Sequence, residues 1–494
     1  MGSNTKPKNP GLPNLAPKRL IVAASIAALF GGLSAPAYTA DTETLLDKLH
    51  EKGVLSDKEY EEMRTEARAE RRAQALKEAN ETEKAAKKAE SAPSELTGRF
   101  KDGFSWESGD KQHSISLSGR IQADYRSFSE NSGTTATPTS ATADTFDIRR
   151  AYFGVSGKLY NDWTFEVTSD VANNTLEYAY VNYKASDLVQ LRMGAFKMPF
   201  SFEELTSSRF IDFQERSLVN ALVPQKDQGF MIYGEPVKNT FAYWLAVDNG
   251  SGKNTDETNS VVDGKDSIAR VAANLAPMME LSNAVLHLGV NYASGTIPVG
   301  AAPSERTEGR GLTFFIPAAF TGADTDRERT GLEGVLAWGP VKVQSEWVQA
   351  NFQGTSAGAV GYDRDIDSYY AAVNWMITGE KYADNYTLGG MRAIKPNNAF
   401  KKGADGWGAW ELGVRYSVLD AGDFTAANAA GTGVLTAGTT NKADAVTVGL
   451  KWIPNTNTRV YLNYIQTEFD TPVAVVGGTA DNEKAITLRT AVFF

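Results

Sequence analysis

Arg120, Arg126, Arg150, Arg192, Arg270, Arg415 and Arg489, together with Lys158, Lys342 and Lys451, fall at alternate positions in stretches whose other residues are apolar. An extended chain turns successive side chains to opposite faces, so these cations and Tyr152 share one face and the apolar residues take the other. A guanidinium offers planar, charge-assisted donors that can hold an oxyanion at two points. Several such groups spaced along a wall let an anion step from one to the next, whereas a single tight site would trap it. The acids on the same face are fewer, with Asp124, Glu166, Glu346 and Glu411 the clear ones. The expected chemistry is the passage of small anions along a basic wall, in a chain whose formal net charge is −10. That net charge argues against nucleic acid as a partner.

Other chemical signals are weak. Cysteine is absent, which removes disulfides, thiol catalysis and Cys-ligated zinc. His50, His113 and His287 are the only histidines and no H-E-x-x-H occurs, so no metal site is expected. Asp363, Asp365 and Asp367 open like a calcium loop, but Ser368 stands where Gly is required and Asn374 where Glu is; they are read as a solvated loop. Gly431-Thr432-Gly433 has no following helix and makes no dinucleotide site. A hydrolase would need Ser or Asp near His287 with Asn or Glu orienting it, and the spacing supports none of this. The chain reads as a non-enzyme without a cofactor.

The elements that must carry these cations are strands. From His113 onward, alternation recurs in sixteen segments beginning near residues 113, 145, 163, 176, 189, 229, 240, 266, 284, 330, 341, 366, 409, 443, 458 and 484. Each has about 9–13 residues, the length of a tilted transmembrane strand. In Trp410–Val418, for example, Leu412, Val414, Tyr416 and Val418 alternate with Glu411, Gly413, Arg415 and Ser417. Tight turns such as 160–162, 185–187, 338–340 and 454–457 take turns with long polar connections at 129–144, 201–228, 249–265, 296–329 and 421–442. Short turns on one rim and long loops on the other predict an all-β, sixteen-stranded antiparallel transmembrane barrel, with a soluble β-sandwich as the alternative. Parity puts the stretch 379–408 on the short-turn rim, so either that turn is unusually long or the strand count is off by a pair.

Ahead of the barrel, Lys6, Lys8, Lys18 and Arg19 precede the apolar run Ile21–Leu33, and Ala35, Ala37 and Ala40 follow it. This is the pattern of a cleaved secretory signal over 1–40, with cleavage around 37–40. No later run is long and apolar enough for a membrane helix. Residues 41–100 form a charged periplasmic helical segment and linker, and 101–494 the barrel. In 41–92, Tyr60, Met63 and Ala67 keep helical spacing and suit a short coiled-coil seam between subunits; a solvated helix or linker fits equally.

The runs Arg149–Val167 (RRAYFGVSGKLYNDWTFEV), Gly194–Ser217 (GAFKMPFSFEELTSSRFIDFQERS) and Gly406–Ser417 (GWGAWELGVRYS), with the Phe-terminated last strand, resemble the phosphate-selective porin family of O and P type. The likeness covers roughly residues 100–494. It implies a homotrimer of sixteen-stranded barrels in outer-membrane lipid, with a loop folded inward after the fifth strand and arginines guiding phosphate or pyrophosphate. It places Arg120, Arg149, Arg150 and Tyr152 in the anion path, with Arg209 and Arg216 on the inward loop. Arg306 and Arg310 lie on a loop that is strongly basic in the family. Here Glu305 and Glu308 interleave with them, a departure from that pattern. The leading reading is an outer-membrane porin for small anions, with Arg192, Arg270, Arg415, Lys451 and Arg489 as further basic lumen residues. A general nonselective porin, an outer-membrane hydrolase, and a structural protein reaching the cell wall through 41–92 stand as alternatives.

Overall fold

The computed structural model describes residues 96–100, 103–129, 143–251, 264–297, 303–317, 325–356, 360–403, 405–425, 434–475 and 478–494, together with parts of 50–81. Residues 1–49 of the expected signal and arm, and Met63 and Ala67 of the expected seam, lie outside them. The chain divides into two compact units, Met1–Ala92 and Pro93–Phe494. Within the first, residues 57–62 are helical. Ser56 and Glu59 cap that turn reciprocally: the Ser56 N–H donates to the Glu59 carboxylate at 3.0 Å and the Glu59 N–H donates to the Ser56 hydroxyl at 3.4 Å. Tyr60 stacks on His50 at 4.3 Å between ring centroids.

The second unit is a barrel. Its strands are β1 (Ser114–Phe128), β2 (Thr145–Leu159), β3 (Trp163–Asp170), β4 (Thr175–Lys184), β5 (Gln190–Lys197), β6 (Lys226–Val237), β7 (Phe241–Asp248) and β8 (Asp266–Asn274). They continue as β9 (Ala284–Thr296), β10 (Asp326–Trp338), β11 (Val341–Ser356), β12 (Val360–Met376), β13 (Ala409–Asp420), β14 (Lys442–Asn455), β15 (Thr458–Val475) and β16 (Gly478–Phe493). Each pairs antiparallel with the next. β16 returns to β1, from Ala485 opposite Phe128 to Phe493 opposite Arg120, so the ring of sixteen strands closes on itself. The last residue extends the seam: Phe494 and Gly119 exchange backbone hydrogen bonds. A Cβ on Gly119 would sit 2.1 Å from the Phe494 ring, so any larger residue there would displace that ring. A hairpin that alternation alone did not reveal, Leu96–Phe100 with Phe104–Ser108, pairs onto the start of β1. It brings the barrel unit forward of the expected boundary at 101.

All sixteen expected segments contain a strand, and the count stands. The stretch after β12 is a long turn on the short-turn rim. The largest differences in strand start are at β12 and β16, which begin at 360 and 478, earlier than expected. One consequence is a correction. Asp363, Asp365 and Asp367 lie on β12, not in a loop, and the Asn351 amide donates to the first two at 2.7 and 2.8 Å.

Apolar and polar faces sort as the alternation requires. Leu412, Val414 and Tyr416 of β13 are exposed on the outer surface, while Glu411, Arg415 and Ser417 are buried inside. Where strands meet the short turns, Trp163, Trp338, Trp375, Trp410 and Trp452 form part of an aromatic girdle, Trp410 stacked on Trp452 at 5.6 Å. Such a girdle marks the interface of an outer-membrane barrel.

Candidate permeation path

A sixteen-stranded barrel encloses more space than wall side chains can fill, and this one is narrowed by chain folded inward. After β5, residues 198–225 turn into the barrel. Met198, Phe200, Phe213, Leu218 and Val219 are buried there against Val348, Ala350, Tyr370 and Ala372 of the wall. The loop carries a one-turn helix, α1 (Phe202–Leu205). Its first two N–H groups donate to Glu346 of β11 at 3.1 and 2.7 Å, so an inward wall acid satisfies donors the short helix cannot.

The loop also brings acids, and these meet the wall cations. Asp212 pairs with Lys342 at 2.6 Å and lies 3.9 Å from Lys451, which also pairs with Glu411 at 2.5 Å. Glu203 pairs with Arg415 at 3.1 Å. Glu215 accepts from three guanidiniums: Arg489 at 2.7 Å, Arg149 at 3.0 Å and Arg126 at 3.1 Å. Burial alone would raise the Glu215 carboxyl, but Arg149 and Arg489 outweigh it and hold the group well below the ordinary range. Lys342 and Lys451 likewise outweigh burial at Asp212 and hold it down.

The inward cations expected of the wall are present, but acids of the loop pair with several of them. Arg415, Lys451 and Arg489 serve as anchors for the loop, because its acids arrive opposite them. Arg270 is also taken up, by Glu333 at 2.6 Å, and it donates to the Leu388 carbonyl at 2.9 Å. Arg216 donates to the carbonyls of Glu203, Glu204 and Thr206 and pairs with Glu204, holding the loop's own turn. A second inward segment, 303–317, is closed in the same way. Arg306 donates to the Gly311 carbonyl, and Glu308 accepts from Arg415 at 2.6 Å. Arg310, at φ 63°, sits near Arg149 and Glu215; burial, then Arg149, brings its guanidinium down to about 10.

Both members of the arginine pair reach the interior, although neighbours on a strand should face opposite sides. Gln122 of β1 stands opposite Arg150 and Ala123 opposite Ile148, leaving Arg149 as the extra residue of a bulge. A similar shift between Thr168 and Ser169 leaves Glu177 extra, so Glu177 and Tyr178 both turn inward. Arg150 donates to Gln122 at 3.0 Å, and the Gln122 amide donates to the Ser208 carbonyl at 3.1 Å.

What remains open between loop and wall is a cavity of about 410 Å³. Arg120, Arg192, Arg209 and Tyr152 line it together. Among the described residues, none of these three arginines has an ion pair with a carboxylate. Arg120 donates to the Ser208 hydroxyl and stacks over Tyr152 at 4.4 Å. Arg192 contacts Asn182 and Tyr233. Burial lowers the Arg209 guanidinium from its ordinary value. Lys197 also lines the cavity but pairs with Glu204 at 3.2 Å. Glu166 is the acid on its wall and accepts from Tyr180 at 2.9 Å.

The long turn 377–408 enters from the short-turn rim. Its Tyr386 hydroxyl meets His287 Nδ1 at 2.6 Å, and its Met391 N–H donates to Thr206 of the inward loop at 3.0 Å. His287 also faces Glu333 at 3.5 Å.

The family model described as phosphate-selective porin O and P matches residues 115–494. Porin O of Pseudomonas aeruginosa is 29% identical over 426 residues, 80% of this chain and 92% of that protein. Among solved structures, the outer membrane channel DcaP of Acinetobacter baumannii aligns with a TM-score of 0.47 at 12% identity, over 78% of this chain and 99% of its own. OmpT of Vibrio cholerae aligns with a TM-score of 0.45 at 12% identity, over 78% and 98%.

Proposed function

The chain belongs to the phosphate-selective porin O and P family and is an outer-membrane porin, and from that premise we propose that it passes small anions, phosphate and pyrophosphate among them, along Arg120, Arg192 and Arg209. One observation carries the reading. These three guanidiniums line a single cavity with no carboxylate partner among the described residues, while most of the other inward cations are neutralised by acids. An unpaired guanidinium in a low-dielectric passage keeps its field for the permeant ion. Arg150, bonded to Gln122 and without a carboxylate partner among the described residues, adds positive potential without opening into the cavity, whereas Arg149 is held on Glu215.

Tyr152 orients Arg120, and Arg209 presents its charge from the loop side. The working unit is a homotrimer exported through a signal over 1–40, with the charged arm 41–92 in the periplasm and the barrel unit after it. Glu166 beside the arginines supports one second reading, a porin of weak selectivity. Single-channel recording in planar bilayers separates the two. A chloride current blocked by millimolar phosphate, with a reversal potential favouring anions, supports the anion path; an unblocked or cation-preferring current supports the second reading.

A further inference from the structure

The cavity is as aromatic as it is basic. Tyr178, Tyr180, Phe196, Phe210, Tyr233 and Trp244 line it beside the arginines, and Met231 and Leu205 add apolar surface. Arg192 is enclosed by rings, with its guanidinium carbon 4.3 Å from the centroid of Tyr180, 5.2 Å from Tyr233 and 5.7 Å from Phe196. A bare phosphate in such a place gives up water on all sides and receives hydrogen bonds on only some of them, which is costly for a small multiply charged ion. A flat ring, by contrast, gains by offset or edge contact with aromatic walls. The volume, about 410 Å³, falls in the range of sites for small organic molecules and is generous for inorganic phosphate. Glu166 adds a fixed negative charge to the wall, which disfavours highly charged anions and leaves room for those with one or two charges.

We propose that this cavity selects oxyanions that carry a flat ring, aryl phosphates and aromatic carboxylates, over bare inorganic phosphate. The acid group lies toward Arg120 and Arg209, and the ring lies against Phe210 of the loop and Tyr180 of β4. The proposal rests on the anion-conducting reading given above and specifies which anions that path retains longest.

The test compares block of chloride current by phenyl phosphate, methyl phosphate and inorganic phosphate, using the full-length protein in planar bilayers at one pH. The pH is set mildly alkaline, where both esters are dianions and differ in the ring. Phenyl phosphate is expected to block at a concentration about tenfold or more below methyl phosphate, the size of one good aromatic contact with its buried area. Phe210→Ala and, separately, Tyr180→Leu are expected to bring the phenyl-to-methyl ratio toward one. Unitary chloride conductance reports whether each variant forms an intact pore, and the wild-type ratio decides the matter if neither does. A ratio near one in the wild type overturns ring selection and leaves the anion reading standing. A current that none of the three blocks overturns the anion reading and this proposal with it.

Discussion

Replacing Glu215 by Gln removes a carboxylate shared by Arg489, Arg149 and Arg126 at 2.7, 3.0 and 3.1 Å. The side chain of Glu215 is 13% exposed and that of Arg489 is 1% exposed, so water replaces little of what is lost. Breaking a buried ion pair by deleting one partner costs roughly 3–5 kcal/mol. Asp212 and Glu203 still hold the loop through Lys342 and Arg415, so the barrel stays folded and the loss falls on the docking of 206–217. At 1.4 kcal/mol per factor of ten, the ratio of released to docked loop rises by about two to three and a half powers of ten. In single-channel records this reads as brief excursions to higher conductance and greater open-state noise. The pH dependence has a definite sign. A carboxyl held below its ordinary value stabilises the docked loop fully above that value, 4.5 for Glu, and loses this contribution as pH falls through the lower, folded value. Wild-type noise should be flat from neutral pH to about 5 and rise only in stronger acid, while Glu215→Gln should be noisy at neutral pH and lack the acid-dependent rise. A variant as quiet as wild type at neutral pH would refute the anchoring argument.

Arg209→Ala or Arg120→Ala should weaken phosphate block of chloride current by about tenfold or more, the loss of one charge-assisted hydrogen bond of roughly 1.5–3 kcal/mol. Lys at either position should restore only part of the block, since it keeps the charge and loses the planar fork. Deleting 41–92 should leave an inserted, conducting barrel, because those residues supply none of the sixteen strands; loss of insertion on deletion would place the segment in the barrel's folding unit. The native protein should run on SDS gels as an oligomer whose mobility changes on heating, and a soluble monomer in the periplasmic fraction would contradict the assembly.

The barrel was legible because burial on one face and lipid on the other impose a period of two that nothing else in the chain competes with. Leu412, Val414 and Tyr416 point outward and Arg415 inward for that reason alone. Arg120, Arg192 and Tyr152 were readable in the same way, and so in principle were Tyr178 and Tyr180, which alternate with Ala179 and Val181. Charge balance was not. Counting wall cations says nothing about acids that arrive on a loop, and Glu203, Asp212 and Glu215 reverse the meaning of Arg415, Lys342 and Arg489. Bulges were equally hidden. Strict alternation sends either Arg149 or Arg150 to lipid, and only the pairing of Gln122 with Arg150 and Ala123 with Ile148 lets both turn inward.

The distances along the chain between the inward loop and its anchors bear on how the pore comes into being. Asp212 waits for Lys342, 130 residues later; Glu203 waits for Arg415, 212 residues later; and Glu215 waits for Arg489, 274 residues later, on the last strand. Contacts so remote form late, because each long chain segment must be ordered before it yields anything in return. Until then the three acids are better hydrated than buried. Narrowing of the passage is therefore tied to closure of the barrel: Glu215 meets Arg489 only once β16 is in place beside β1.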